Sequence, residues 1–553
     1  MNRRYGWRAR VHDESGVALI IVTLALSALL LLSTAAVEFA TGSLSLSKHD
    51  QNWNAALSAA EGGIDDYLFR LNENSNYWSY NATNAPPDGN KAFIQWVSVP
   101  GGTTQSSYRY MTDVTRLKID GTIKLTSAGK VGNTTRTVYT TLRRRSFIDY
   151  LYFTDFETLD PSLYTGSPFT PAQAQVQCSK HYYDGRNPSC TEITFATFDK
   201  INGPLHSNDA YLICGGATFN GATSTSWTGA SGRRYRPNTG CGTGNPVFAN
   251  PGDPALLPPL TMPPSNTAIK AETVAGAGGC LYTGPTSIVM NSDGTMTVNS
   301  KFSKNTNNGC VTNGTGPVPK NGVIYVQTVP ASSGDPNFTS GCPFTVNSKA
   351  HPLGLPISND VNTFGCRNGD AFVQGTTKGQ VTIASDNNIE LTGNLLYQGG
   401  LNGSDLLGLV ANNFVEVYHP VKCTTTSGGI CTAGTDLTDA FHPTWNFASC
   451  SAPTSGSRCA TLDAAMLSVQ HSVRVQNYNL GSVLGTLTIN GAFAQRFRGI
   501  VGTSTGGVPQ TGYAKNYTYD PRLKYLSPPK FLDPVASAWG QATWSEVDLP
   551  SGW

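Results

Sequence analysis

Residues 17–37 read VALIIVTLALSALLLLSTAAV, an apolar run with no charge and no proline. At ~1.5 Å per residue a helix of that length spans roughly 30 Å, the thickness of a bilayer core. Glu38 interrupts the run, yet Leu44, Leu46, Trp53, Ala56, Leu57, Ala60, Ile64, Leu68 and Leu71 continue it at mostly helical spacing. The spacing predicts one helix from about Val17 to about Leu71, roughly 80 Å long. Half would sit in a membrane and half would stand above it.

After the helix the period changes. Residues 76 to about 105 form a polar connector with the turn signal NAPPDGNK. From Tyr108 to Arg145 the segments YRYMTDVTRL, GTIKLTSAGK and TTRTVYTTLRRR alternate, which predicts a β-meander able to cover the helix's apolar stripe. Residues 147–356 are loop-rich, with short β-like runs between Gly, Pro and Asn. Over 357–511 short apolar strands such as GQVTIAS, NIELTGNLLY and GTLTINGAFAQRF end repeatedly in Asn or Gly. Each buries little alone, so stacked coils of a β-solenoid would supply a continuous core, with a β-sandwich as the alternative. Residues 512–553 are aromatic and Pro-punctuated and are expected to cap an open end of that stack. Partner binding through exposed Trp539, Trp544 or Trp553 is the alternative. The fold class expected is α+β, mainly β.

Charge sets the orientation. Arg3, Arg4, Arg8 and Arg10 precede the apolar run, which places the N-terminus in the cytoplasm and the remainder outside. Cleavage as an ordinary signal near Ala35 and Ala36 is the competing reading, but the helical pattern continues past it. Removing the four Arg and two acids of residues 1–16 from 38 basic and 36 acidic residues leaves 34 of each. A neutral ectodomain argues against general nucleic-acid binding, which needs a basic face. LRRRSF at 142–147 is its one basic cluster and suits a solvated strand end. Charged residues make up only 13% of the chain, a balance that suits a turn-rich exported protein.

The chain has 12 cysteines: Cys178, Cys190, Cys214, Cys241, Cys280, Cys310, Cys342, Cys366, Cys423, Cys431, Cys450 and Cys459. No pair has C-x-x-C spacing, so disulfides formed outside the cell are expected, with connectivity left open.

The leader RRYGWRARVHDESG, the glycine before an apolar helix, and ALSAAEGGIDDYLFRL downstream resemble type IV pilin-like proteins, in particular the PilX-type N-terminal region of minor pilins and pseudopilins. The resemblance covers about residues 1–75. It implies a leader over residues 1–16, cut by a prepilin peptidase at Gly16–Val17. It also implies a membrane and stalk helix over 17–75, a pilin-like meander over 76–146, and partners among other pilins. Major pilins carry a glutamate at the fifth mature position. Ile21 stands there in this chain, which implies a low-copy component rather than a polymerising subunit. The stretches LLGLVANNFVEVYHP, GYAKNYTYDPRL and PPKFLDP resemble large pilus-assembly proteins of Gram-positive type. A plain signal anchor tethering an exoprotein remains the alternative.

Candidate chemistry is sparse. GTSTG, Gly502 to Gly506, matches G-x-S-x-G, but Pro509 opposes the helix a nucleophile elbow needs. HSND, His206 to Asp209, gathers triad residue types in adjacent positions, which suits a turn better. His419, His442 and His471 lack metal-ligand spacing. Asp386, Glu390, Asp405, Glu416 and Asp463 are carboxylates that a polysaccharide-cleaving β-helix would use in pairs. DNN at 386–388 and SNDVN at 358–362 lack the EF-hand pattern. The sequence therefore points to no catalytic residue, no metal and no cofactor. The expected protein is a membrane-anchored, pilin-like structural component displaying a β domain, whose remaining partner class is an extracellular surface or glycan. The alternative is an anchored enzyme acting on polysaccharide.

Overall fold

The computed structural model describes residues 15–74, 77–101, 106–117, 122–144, 146–197, 199–238, 240, 245–341, 364–437, 448–449, 458–505, 508–524, 526–534, 539–550 and 553. The chain forms two compact units. One comprises Met1–Arg143 and Trp539–Trp553, the other Arg144–Ala538.

The first unit is built on α1, Ser15–Glu73, a single helix of 59 residues. Its last third lies on an antiparallel sheet of β1 (Val97–Ser98), β2 (Ser106–Asp113), β3 (Thr122–Val131), β4 (Thr134–Arg144) and the strand Trp539–Val547, in that order. The join is close because the facing residues are small. A Cβ on Gly129 would stand 2.1 Å from the Ala56 carbonyl oxygen, and one on Gly63 would stand 2.3 Å from Ser127 Oγ. Around that contact Ile64, Tyr67 and Leu71 of the helix pack on Tyr108, Tyr110, Ile123, Leu125 and Val138. The strand Trp539–Val547 closes the sheet. Arg136 pairs with Glu546 and the Thr140 hydroxyl donates to the Thr543 carbonyl at 2.6 Å, so this strand runs antiparallel to β4. The Trp539 N–H also donates to Asn72 Oδ1 at 2.6 Å. The second unit is thus an insertion between two neighbouring strands of the first.

In the second unit the pairing is mostly parallel. Its longest ladder runs Cys280–Thr283, Val323–Gln327, Gln380–Ser385, Leu406–Ala411, Arg458–Ser468 and Val483–Phe497. It then continues into Tyr152–Phe156, Leu205–Ser207, Thr223–Thr225 and Ala255–Leu256. The N-terminal quarter of the unit therefore stacks on strands more than 300 residues later. Ile, Leu and Val from successive strands form one buried cluster. Asparagines repeat at the corners, as expected: Asn413 donates to Asn387 Oδ1 at 2.6 Å, and the Phe414 N–H to Asn388 Oδ1 at 3.2 Å.

Two expected segments are corrected. Residues 147–356 do not form a separate region, because most of their described strands belong to the same sheet as the strands after 370, Leu212–Ile213 and Arg236–Pro237 forming a small sheet of their own. Residues 512–553 do not cap the stack. Val508–Tyr519 pairs with Val483–Phe497 on one side and Lys200–Asn202 on the other, with Tyr513, Tyr517 and Tyr519 alternating into the core. The prolines after it lie along the strands instead, where the Thr382 hydroxyl donates to the Pro529 carbonyl at 2.5 Å. The final strand belongs to the other unit.

Cys178–Cys190, Cys280–Cys310 and Cys423–Cys431 are bonded. Cys214, Cys366 and Cys459 are disulfide-bonded as well, and Cys241, Cys342 and Cys450 lie outside the described residues.

Candidate functional site

The first part of α1 is unlike any other element. From Val17 to Val37 its side chains are exposed throughout, and the helix is long and apolar enough to cross a membrane. Its few hydroxyls are satisfied within the helix. Thr23, Ser27, Ser33 and Thr34 donate to carbonyls three or four residues back at 2.7–2.9 Å. A hydroxyl satisfied in this way is tolerated in hydrocarbon, where nothing else would accept its proton. The Gly16–Val17 bond lies in the first turn of α1, and Ile21, 60% exposed, lies on the next. Exposure on all sides allows this segment to be surrounded by lipid or by other helices.

The helix changes partner near Trp53. Arg136 stacks over the Trp53 ring at 4.7 Å, and below it the small-residue seam takes over. The far end is locked by polar contacts: Arg70 donates to Asp66 at 3.0 Å and to Asp88 at 2.5 Å, and the Tyr110 hydroxyl donates to Asp66 at 3.0 Å. Burial pushes the Tyr110 phenol far above its usual range, with the Asp66 charge adding to it, so it remains a donor.

The second unit offers a different candidate. Glu390 and Glu416 are register partners on adjacent parallel strands, and Arg474 follows Glu416 on the next. Gln476 Nε2 donates to both carboxylates at 2.7 Å, and Arg474 pairs with Glu416. Glu390 is 0% and Glu416 3% exposed. Burial, then the neighbouring Glu416 charge, raises the Glu390 carboxyl well above its usual range, so it is held neutral beside the Glu416–Arg474 pair. The arrangement separates two carboxyls electrostatically, as acid/base pairs require, but Gln476 bridges them and protein encloses them. A repeated signal was present in the sequence, where Ile-Glu-Leu, Val-Glu-Val and Val-Arg-Val each place a charge between two apolar residues. A cavity of about 30 Å³ bordered by Tyr152, Phe195, Arg498, Lys515 and Tyr517 has room for water only.

The other candidates stay apart. Gly502–Thr505 is a strand folded back antiparallel on Val508–Tyr519, so Ser504 sits in a hairpin rather than on an elbow before a helix, and Gly506 lies outside the described residues. His206 Nδ1 meets Ser224 Oγ at 2.9 Å while the Asp209 carboxylate pairs with Arg186, and Ser207 Oγ accepts from the Asp209 backbone N–H at 3.1 Å, so the His and Asp side chains turn to separate partners. His419 pairs with Asp436 at 3.0 Å and His471 with Asp160 at 2.9 Å. His442 and the SNDVN segment lie outside the described residues. Asp386 accepts from the Tyr325 hydroxyl at 2.6 Å, Asp405 from the Gly379 N–H at 2.7 Å, and Asp463 from Asn490 at 2.9 Å. Among the described residues, no three His, Cys, Asp or Glu side chains gather as a metal would need. Trp539 is buried, Trp544 is exposed, and Arg109 stacks over Trp553 at 5.2 Å.

No family model and no curated protein matches the chain. Among solved structures it is similar to the competence-associated pilin ComZ from Thermus thermophilus, at 11% identity over 90% of this chain and 97% of that chain, with a TM-score of 0.26. A likeness at that score carries no fold assignment. The functional reading rests on the chain's own helix and sheet.

Proposed function

We propose that the protein is a minor pilin or pseudopilin-like structural component of a type IV pilus or related secretion system. The observation that carries this reading is α1. Its apolar part is bare on every side, and the same helix then lies backbone-close on a small antiparallel sheet. In this reading residues 1–16 are a cytoplasmic leader, a prepilin peptidase cuts at Gly16–Val17, and Val17–Val37 holds the chain in the membrane until the helix packs among those of other pilins. Ile21 in place of the glutamate suits a low-copy position. The second unit is then a disulfide-braced display domain outside the cell, its parallel ladders forming a β-solenoid that acts in assembly, adhesion or binding, with no catalysis of its own.

The buried Glu390–Glu416 pair is the one observation that favours the alternative, an anchored enzyme acting on polysaccharide. Two tests separate the readings. Sheared filaments should contain the protein, and deletion of the assembly ATPase should remove it from that fraction. Presence in the membrane alone, unchanged by the deletion, would contradict the pilin reading. Polysaccharide cleavage lost in Glu390→Gln would favour the enzyme.

A further inference from the structure

The outer face of the parallel sheet around Val483–Phe497 carries two polar rows that cross the seam between distant parts of the chain. One row, read strand by strand, is Asn394, Thr461, Thr488, Asn516, Lys200 and Thr218. The other is Asp463, Asn490, Thr518, Asn202 and Asn220. All but Asp463 are half-buried or exposed. Their inward neighbours Leu462, Ile489, Tyr517, Ile201 and Phe219 are core residues, so alternation fixes the rows on the outer face.

Several side chains are braced along the rows. Asn490 Nδ2 donates to Asp463 at 2.9 Å, Asn516 Nδ2 to Thr488 Oγ1 at 3.3 Å, and Asn220 Nδ2 to Asn202 at 2.8 Å. Each bond uses part of an amide and leaves the rest facing solvent. Thr518 and Thr218 make no side-chain bond among the described residues. Asp463 is buried, so Lys200 is the one charged side chain of the rows that faces solvent.

We propose that these rows form a docking strip for an extended, uncharged polysaccharide. Donors and acceptors recur at the strand spacing of about 4.8 Å, close to the length of one sugar ring in an extended chain. A polyol can replace the water on such a face with hydrogen bonds of the same kind, whereas an apolar partner would leave those groups unpaired. The rows lack the Trp, Tyr and Arg that anchor protein partners, and they lack the basic character that nucleic acid needs. The inference rests on the reading of the second unit as a display domain outside the cell.

The test uses the full chain in a sugar-free detergent, with fluorescent mixed-linkage β-glucan and dextran as probes and heparin as the charged control. Binding to a neutral probe should be unaffected by salt. Thr488→Val/Thr518→Val, which removes two hydroxyls, should weaken it about tenfold or more. Thr488→Ser/Thr518→Ser should retain it. Thermal unfolding checks that the variants are folded, and the exposed Asn220→Ala tests the far end should the double variant fail to fold. No binding to either neutral probe, unaltered binding by the Val variant, or binding confined to heparin and abolished by salt would overturn the proposal. Sequencing the N-terminus of the same preparation keeps the two readings apart, because a chain starting at Val17 that binds no glycan rejects only the docking strip.

Discussion

The two units bury their interiors by different means. In the first, the backbone of α1 rests on β3 through Ala56, Ala60, Gly63 and Gly129, and the ion pairs Arg70–Asp66 and Arg136–Glu546 keep part of their surface in water. In the second, Arg498–Glu157, Arg186–Asp209 and Arg522–Asp520 are enclosed almost completely. Shape decides the seam of the first unit, since a Cβ on Gly129 would meet the Ala56 backbone and one on Gly63 the Ser127 and Tyr108 side chains. The second unit has backbone-close glycines too, such as Gly491 against Ala464, but adds enclosed charges, each of which without its partner is far costlier than a slightly loose fit.

The largest expected effect follows from that contrast. Arg498→Ala leaves Glu157 buried without its 2.9 Å partner and should destabilise the second unit by about 3–5 kcal/mol, read as a shift of its denaturant midpoint. Arg136→Ala, at the partly exposed pair, should cost about 1 kcal/mol or less in its ion-pair contribution. Equal losses from the two variants would break the comparison. Next in size, Cys178→Ser/Cys190→Ser opens a loop with a sequence separation of 12 and should cost ~2–4 kcal/mol, seen as a lower Tm of the second unit only.

In the first unit Gly129→Val should cost about 1–3 kcal/mol and release α1 from the sheet, making the segment near Ala56 susceptible to protease. Gly42→Ala sharpens the point from the other side. Nothing lies within 4 Å of that position, so the substitution should strengthen the helix by ~0.5–1 kcal/mol.

A separate prediction concerns pH. Asp370 is pushed up to about 7, chiefly by burial, so the folded chain holds a proton that the unfolded chain releases near pH 4. This contribution is present in full below the unfolded pKa and is lost as pH rises through about 7. The stability of Asp370→Asn, read by denaturant unfolding, should decline less steeply than that of wild type between pH 4 and 7. An unchanged slope would show that other groups carry that dependence.

Legibility followed the range of the contacts. The helix and meander are local, so the spacing of Ala56, Ala60 and Ile64 and the alternation in β2–β4 were visible in the sequence. The Asn corners were visible too, because each is a turn in its own right. The order of stacking was not, because Tyr152–Phe156 and Val483–Phe497 carry no mark of each other. Parallel partners lie far apart, and a strand's pattern shows which face is apolar but not which neighbour it meets. The expected cap failed for that reason: aromatic residues in Val508–Tyr519 are equally compatible with an exposed end and with an interior strand. The Glu390–Glu416–Arg474 stack was written as three short apolar–charged–apolar repeats, whose alignment only the register reveals.

The most direct test of the central claim is the mass of the N-terminal peptide from protein recovered from its native membrane, with Gly16→Leu as the control. The account predicts a chain beginning at Val17, methylated there, with the cut lost in the variant. A chain retaining Met1, or one beginning near Glu38, would contradict it.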